Sequence, residues 1–137
     1  MAERTKPVPS PTPETQPYWD GAAAGELRLQ RCTDCGAAFF YPRTSCPHCG
    51  SAAVEWFTAS GRATLYSYTI THRPAPGFDA PYAIAVVQLA EGPRMMTNIV
   101  GIPNTPDHLV LDMDLEVTFE RRGDFALPQF RPAGERA

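Results

Sequence analysis

The sequence has no apolar run long enough to span a bilayer. Its opening stretch, MAERTKPVPSPTPETQP, lacks the apolar segment of a signal peptide, so a soluble cytoplasmic protein is expected. Positive charge is not in excess. The formal net charge is -3 and the pI is about 5.5, which gives no general attraction to nucleic acid or to an anionic membrane. Catalytic signatures are also missing: there is no G-x-S-x-G elbow, no glycine-rich phosphate loop and no H-E-x-x-H pair. The three histidines, His48, His72 and His108, are scattered, with no nucleophile beside them in sequence. A self-sufficient catalytic triad is therefore not expected.

Cysteine is scarce too, and all four cysteines lie in the stretch CTDCGAAFFYPRTSCPHCG. Cys32 and Cys35 form one C-x2-C pair, Cys46 and Cys49 the other, with ten residues between the pairs. Each pair is followed by glycine, which tolerates the sharp turn needed to bring two thiolates to one ion. In a reducing compartment, two matched pairs point to metal and not to disulfides. The redox reading of a lone C-x-x-C fails, because no thioredoxin-like βαβ pattern surrounds either pair. Four sulfurs suit zinc or a single iron. The short loop between the pairs and the lack of a larger aromatic shell favour Zn2+. Four thiolates also close the coordination shell, so the ion is expected to be structural and His48 to face solvent.

The 137 residues have room for one ordinary domain or two small modules. Composition divides them into a disordered tail at 1–13, a helical arm and lead-in strand at 14–31, and a zinc ribbon at 32–50. A barrel at 51–132 and a second tail at 133–137 follow. Thr12 is read as a helix cap with Pro13 in the first turn, and the helix carries Tyr18, Trp19 and Ala22 to Ala24. In ELRLQR, Leu27 and Leu29 face one way and Arg28 and Gln30 the other, as in a strand. Beyond the cysteines, the runs AVEWFTA, RATLYSYTITHR, YAIAVVQLA, RMMTNIVGI, LEVTFERR and DFALPQFRP keep a period near two. They predict a mainly β chain whose barrel is a small five-stranded Greek key of the OB type, with a small open sandwich as the alternative.

Other polar residues are weaker candidates. In LDMDLEV, Asp112, Asp114 and Glu116 fall at spacing two, which fits an exposed strand face better than a cation site. The segment THRPAPGFDAPY places His72, Arg73, Phe78 and Tyr82 at a strand end and its loop, where such barrels bind ligands. Arg94 and Asn98 join Arg73 as residues able to meet a phosphate or an amide.

The order PYWDGAAAGELRLQRCTDCGAAFFYPRTSCPHCGS, SGRATLYSYTITHRP and PYAIAVVQLAEGPRMMTNIVG resembles a family of OB-fold proteins with an N-terminal rubredoxin-like zinc ribbon. The resemblance runs from about Pro17 to about Pro132. It implies a non-catalytic accessory subunit of a thiolase-fold, acyl-CoA-processing acyltransferase or retro-aldolase, as in steroid or lipid side-chain metabolism. The subunit would stabilise its partner and help shape the acyl-CoA channel. It further implies Cys32, Cys35, Cys46 and Cys49 as zinc ligands and Tyr18, Trp19 and the exposed aromatics Phe39, Phe40 and Tyr41 as docking residues. Acyl-CoA would lie near the interface, and a hotdog-fold hydratase, where present, would be a separate chain. The rivals are a zinc-ribbon/OB protein for single-stranded nucleic acid, which the acidic balance opposes, and a stand-alone acyl-CoA-binding protein.

Overall fold

Strand formation follows the alternation of the sequence. In β5 (Tyr82–Leu89), Ala83, Ala85, Val87 and Leu89 are all buried, while Tyr82, Ile84, Val86 and Gln88 turn outward. The structure, a computed structural model, describes residues 9–73 and 79–133. Residues 1–8 of the expected first tail, Phe78, and the second tail from 134 onward lie outside the described residues.

One short helix, α1 (Gln16–Ala23), precedes eight strands: β1 (Arg28–Cys32), β2 (Ala38–Phe39), β3 (Val54–Thr58), β4 (Arg62–Thr71), β5, β6 (Arg94–Asn98), β7 (Asp114–Arg122) and β8 (Phe125–Pro132). They form a three-stranded sheet, β2-β1-β3, and a five-stranded sheet, β6-β5-β4-β7-β8. Every ladder between these strands is antiparallel. The run AVEWFT, expected among the strands of the barrel, pairs instead with β1 from Arg28↔Thr58 to Cys32↔Val54. Five strands remain for the barrel.

The barrel is nearly closed. Its two edges meet where Ile99 bridges Phe130 in parallel and the Val100 amide donates to the Phe130 carbonyl at 2.8 Å. Farther along, the Thr97 hydroxyl donates to the Pro128 carbonyl at 3.2 Å. Pro128 has no amide to offer, which suits a strand at an open seam. A bulge between Leu65 and Ser67 interrupts the pairing of β4 with β5. Before it, Ala63 and Leu65 point inward. After it the phase changes, and Tyr68 and Ile70 pack on the core. Without the extra residue, Ser67 and Thr69 would face the apolar interior.

The helix cap, Thr15, lies three residues after the expected one. Thr12 and Thr15 are tied by hydrogen bonds in a turn, and Thr15 precedes the first helical residue, with Pro17 in the first turn. At the other end, the Gly25 amide donates to the Ala22 carbonyl and the Glu26 amide to the Gly21 carbonyl, which closes the helix and reverses the chain into β1. Tyr18, Leu27 and Leu29 join Leu65, Leu115 and Phe130 in one continuous core, so arm, ribbon and barrel share apolar burial.

Gly61 sits between the two sheets with φ 81°, and a Cβ there would lie 2.6 Å from Val117 Cγ1. Its carbonyl accepts the Val117 amide at 2.8 Å, so the strand cannot easily withdraw. Gly61→Ala is therefore expected to destabilise the chain by about 1–3 kcal/mol. A urea titration of the zinc-loaded protein checks this, and an unchanged midpoint would contradict the packing described.

Candidate metal centre

Each knuckle is a tight turn. The Gly36 amide donates to the Cys32 carbonyl at 2.8 Å and the Gly50 amide to the Cys46 carbonyl at 2.9 Å. Both glycines adopt φ near +80°, a conformation that side chains disfavour. Further amides face sulfur: Cys35 N–H donates to Cys32 Sγ at 3.4 Å and His48 N–H to Cys46 Sγ at 3.3 Å. The first of these contacts, made by the backbone N–H of Cys35, is the main reason that the Cys32 thiol is held down at about 7.

The turns bring all four sulfurs within 4.8 Å of one another. Cys32 and Cys49 Sγ are 3.5 Å apart, and Cys35 and Cys46 Sγ 3.7 Å apart. Zinc–sulfur bonds of ~2.3 Å in a tetrahedron give sulfur–sulfur edges of ~3.8 Å, so the cage fits one such ion. These separations are far beyond the ~2.05 Å of a disulfide. Cys32 and Cys46 are buried under Phe39, while Cys35 and Cys49 are exposed. Among the described residues, these four make the only group of three or more potential ligands that converges on one point.

The loop between the knuckles is pinned from β1. Gln30, expected on the polar face, is buried because its amide reads the backbone of Arg43 in both senses. Its Nε2 donates to the Arg43 carbonyl at 2.9 Å, and its Oε1 accepts the Arg43 amide at 2.6 Å. Strand periodicity carries no signal for such a long-range contact.

The aromatic residues divide by exposure. Phe39, expected to be exposed, is only 3% exposed, because β2 turns it down onto Cys32 and Cys46. Tyr18 is buried as well. Burial, with Tyr41 nearby, pushes its phenol well above the usual range, so it stays neutral. Its ring stands 4.8 Å from Trp19, 5.6 Å from Phe40 and 6.1 Å from Tyr41. Trp19 reaches Phe125 of β8 edge-on at 6.4 Å. Of this cluster Tyr41 is the outermost, 43% exposed.

The other sequence candidates are spread over the barrel. His72 and Arg73 follow the end of β4, where Thr71 pairs with Tyr82 of β5. Asn98 lies nearby, paired with Ile84, and its amide donates to the Ala83 carbonyl at 2.7 Å. Arg94 stands at the other end of β6, about 13 Å away at ~3.3 Å per residue, with its guanidinium 3.9 Å from the centre of the Tyr66 ring. Asp112 occupies a turn, whereas Asp114 and Glu116 lie on β7, Glu116 within 3.3 Å of Arg131. His108 Nδ1 does meet a hydroxyl, that of Thr105 at 2.8 Å, in an exposed turn. No helix among the described residues is long and apolar enough to cross a membrane.

Fold and site together define a zinc-ribbon protein with an OB-type barrel. Residues 19–55 match the ChsH2 rubredoxin-like zinc ribbon domain and residues 56–120 the ChsH2 C-terminal OB-fold domain. The chain is 36% identical over 130 residues to a probable enoyl-CoA hydratase alpha subunit of Thermomonospora curvata, covering 93% of this chain and 40% of the relative. It is 33% identical to a DUF35 domain-containing scaffold protein of Methanothermobacter thermautotrophicus, over 69% of this chain and 72% of the relative. A subunit of benzoylsuccinyl-CoA thiolase, BbsA of Thauera aromatica, is 29% identical over 58% of this chain and 55% of its own length. A solved structure described as an Ltp2-ChsH2(DUF35) aldolase superposes with a TM-score of 0.82 at 35% identity, covering 91% of this chain and 98% of that one. The chain belongs to the DUF35 family of ChsH2-type zinc-ribbon/OB-fold proteins. It spans about two fifths of the length of the hydratase alpha subunit. The four-cysteine cage is its structural zinc centre.

Cys46→Ser is expected to lower bound zinc from about one ion per chain to near none, whereas His48→Ala should retain it. Elemental analysis of the purified variants tests both. Acidification should release the metal from the wild-type chain, because protons compete with zinc for the thiolates.

Proposed function

We propose that this chain is a non-catalytic accessory subunit of a thiolase-fold or aldolase enzyme that processes acyl-CoA. It stabilises that partner and helps shape the acyl-CoA channel. The observation that carries this reading is the likeness to the DUF35 component of an aldolase assembly across 98% of that chain. The relation to a benzoylsuccinyl-CoA thiolase subunit supports the same class of partner. The hydratase name of another relative makes a hydratase chain the second partner that this reading admits.

The chemistry of the chain is consistent with a supporting role. Its metal shell is complete with four sulfurs and leaves no position for a substrate. The polar groups at the two ends of β6 are too far apart to act on one reacting atom. On this reading the arm and ribbon dock through Trp19, Phe40 and Tyr41, whose edge-to-face packing presents a rigid aromatic surface.

The tagged protein, captured from its native cells and analysed by mass spectrometry, should retain a thiolase-fold or aldolase chain. Tyr41→Ala should weaken the recovered complex by about tenfold with zinc content unchanged. Capture of nucleic acid alone, or full turnover by the isolated chain, would overturn the reading.

A further inference from the structure

The outer face of the barrel wall made by β6, β5 and β4 carries most of the exposed apolar surface. Among the described residues five large apolar side chains are exposed, and all but Tyr41 gather on or beside this wall. Met96 of β6, 68% exposed, is paired with Val86 of β5, and Tyr66 is the extra residue of the bulge in β4. The Val110–Leu111 turn flanks β4 on its other side. There the Asp112 amide donates to the Leu65 carbonyl at 2.7 Å, and the Leu65 amide donates to the Met113 carbonyl at 3.1 Å. One exposed apolar residue needs no explanation, whereas a contiguous set marks a contact surface. We infer that this face is the interface of a homodimer, covered by a second copy of the chain about a two-fold axis.

The arrangement of charge names the occupant. Arg94, Gln88, Thr64 and Asp114 stand side by side across β6, β5, β4 and β7, each paired with the next. Their neighbours Met95, Leu89, Ala63 and Leu115 are buried, so these four side chains share the outer face. A cation therefore stands at one side of the wall and a carboxylate at the other, about 14 Å apart at the usual strand spacing. Asp112, exposed in the turn before Asp114, adds a second carboxylate on the β7 side. Among the described residues neither aspartate has an ion-pair partner. Arg94 is held over Tyr66, and its Nε donates to Gln88 Oε1 at 2.8 Å, which leaves its terminal nitrogens for a further acceptor.

Two such faces complement each other about an axis that runs along the strands, between β5 and β4. The β6 side of one copy then lies against the β7 side of the other. Arg94 meets Asp114, twice by symmetry, and Met96 meets the Val110–Leu111 turn. The same carboxylates oppose a nucleic acid or an anionic membrane on this face. At strand spacings the wall measures roughly 20 Å by 20 Å. That is the low end of specific interfaces, so a dissociation constant on the order of 10 µM is expected. The inference does not depend on the enzyme partner proposed above, because Trp19, Phe40 and Tyr41 lie on the arm and ribbon.

The test is sedimentation velocity of the full zinc-loaded chain from about 1 to 200 µM. Monomer is expected at the lowest concentration and dimer at the highest. Met96→Glu, Arg94→Asp and Asp114→Arg should each weaken the dimer by about tenfold or more. An equimolar mixture of Arg94→Asp and Asp114→Arg chains should dimerise again, because each cation then faces a carboxylate across the interface. The Arg94→Asp/Asp114→Arg double variant should do the same. Zinc content and circular dichroism verify that each variant is folded. A chain that stays monomeric up to about 200 µM, or a mixture that associates no better than its two components, would overturn the proposal. So would protection of Met96 by the enzyme partner in place of a second copy. Capture of the enzyme by a chain that never dimerises would refute this inference alone. A dimer that captures no enzyme would refute only the proposed function.

Discussion

Four thiolates gathered on one ion are the interaction on which the N-terminal half depends. The ribbon strands span only five, two and five residues, too little to form a stable sheet by themselves. Zinc bound by four thiolates contributes on the order of 10 kcal/mol of folding free energy, and a chain of this size needs a source of that kind. The ion also organises its surroundings. It fixes the two knuckles, and Phe39 packs over Cys32 and Cys46. The loop between the knuckles is then short enough for Gln30 to hold Arg43.

The barrel stabilises itself by different means. Alternation places the small residues Ala83 and Ala85 on the inner face of β5, in one buried core with the larger Leu65, Leu115 and Phe130. The bulge in β4 lets one ten-residue strand present an apolar face on both sides of a change in phase. Leu27 and Leu29 join this interior, so the ribbon leans on the barrel through ordinary apolar burial. The ion therefore determines the ribbon's shape, and the shared core determines where the ribbon sits.

Much of this was legible in the residues. The metal cage could be read from spacing alone, because two C-x2-C-G turns have few other uses, and β5 and β7 could be read from their period. The arm's entry was misplaced by three residues, since a turn of proline and threonine mimics a helix cap. The bulge left no local mark. AVEWFT looked like any other strand of the barrel, because pairing partners are a tertiary property that alternation does not encode. Phe39 looked exposed for the same reason: a two-residue strand has no period to reveal its inward face. Gln30 and Glu91 take their hydrogen bonds from residues 13 and 31 positions away, a separation that no local pattern spans.

The accessory role proposed for the chain is supported by how its groups are arranged. The metal shell is saturated with sulfur, the aromatic cluster is shared between arm and ribbon, and the polar groups lie on strand faces. On that proposal each arrangement serves binding and positioning, and the metal cage and the aromatic cluster depend on an ordered ribbon. Amide hydrogen exchange of the zinc-loaded and zinc-stripped protein tests that dependence most directly. Removal of zinc should abolish protection in β1, β2 and β3 while β4, β5, β7 and β8 keep theirs. Unchanged protection in the ribbon strands would contradict the account, because the sheet would then stand without its ion.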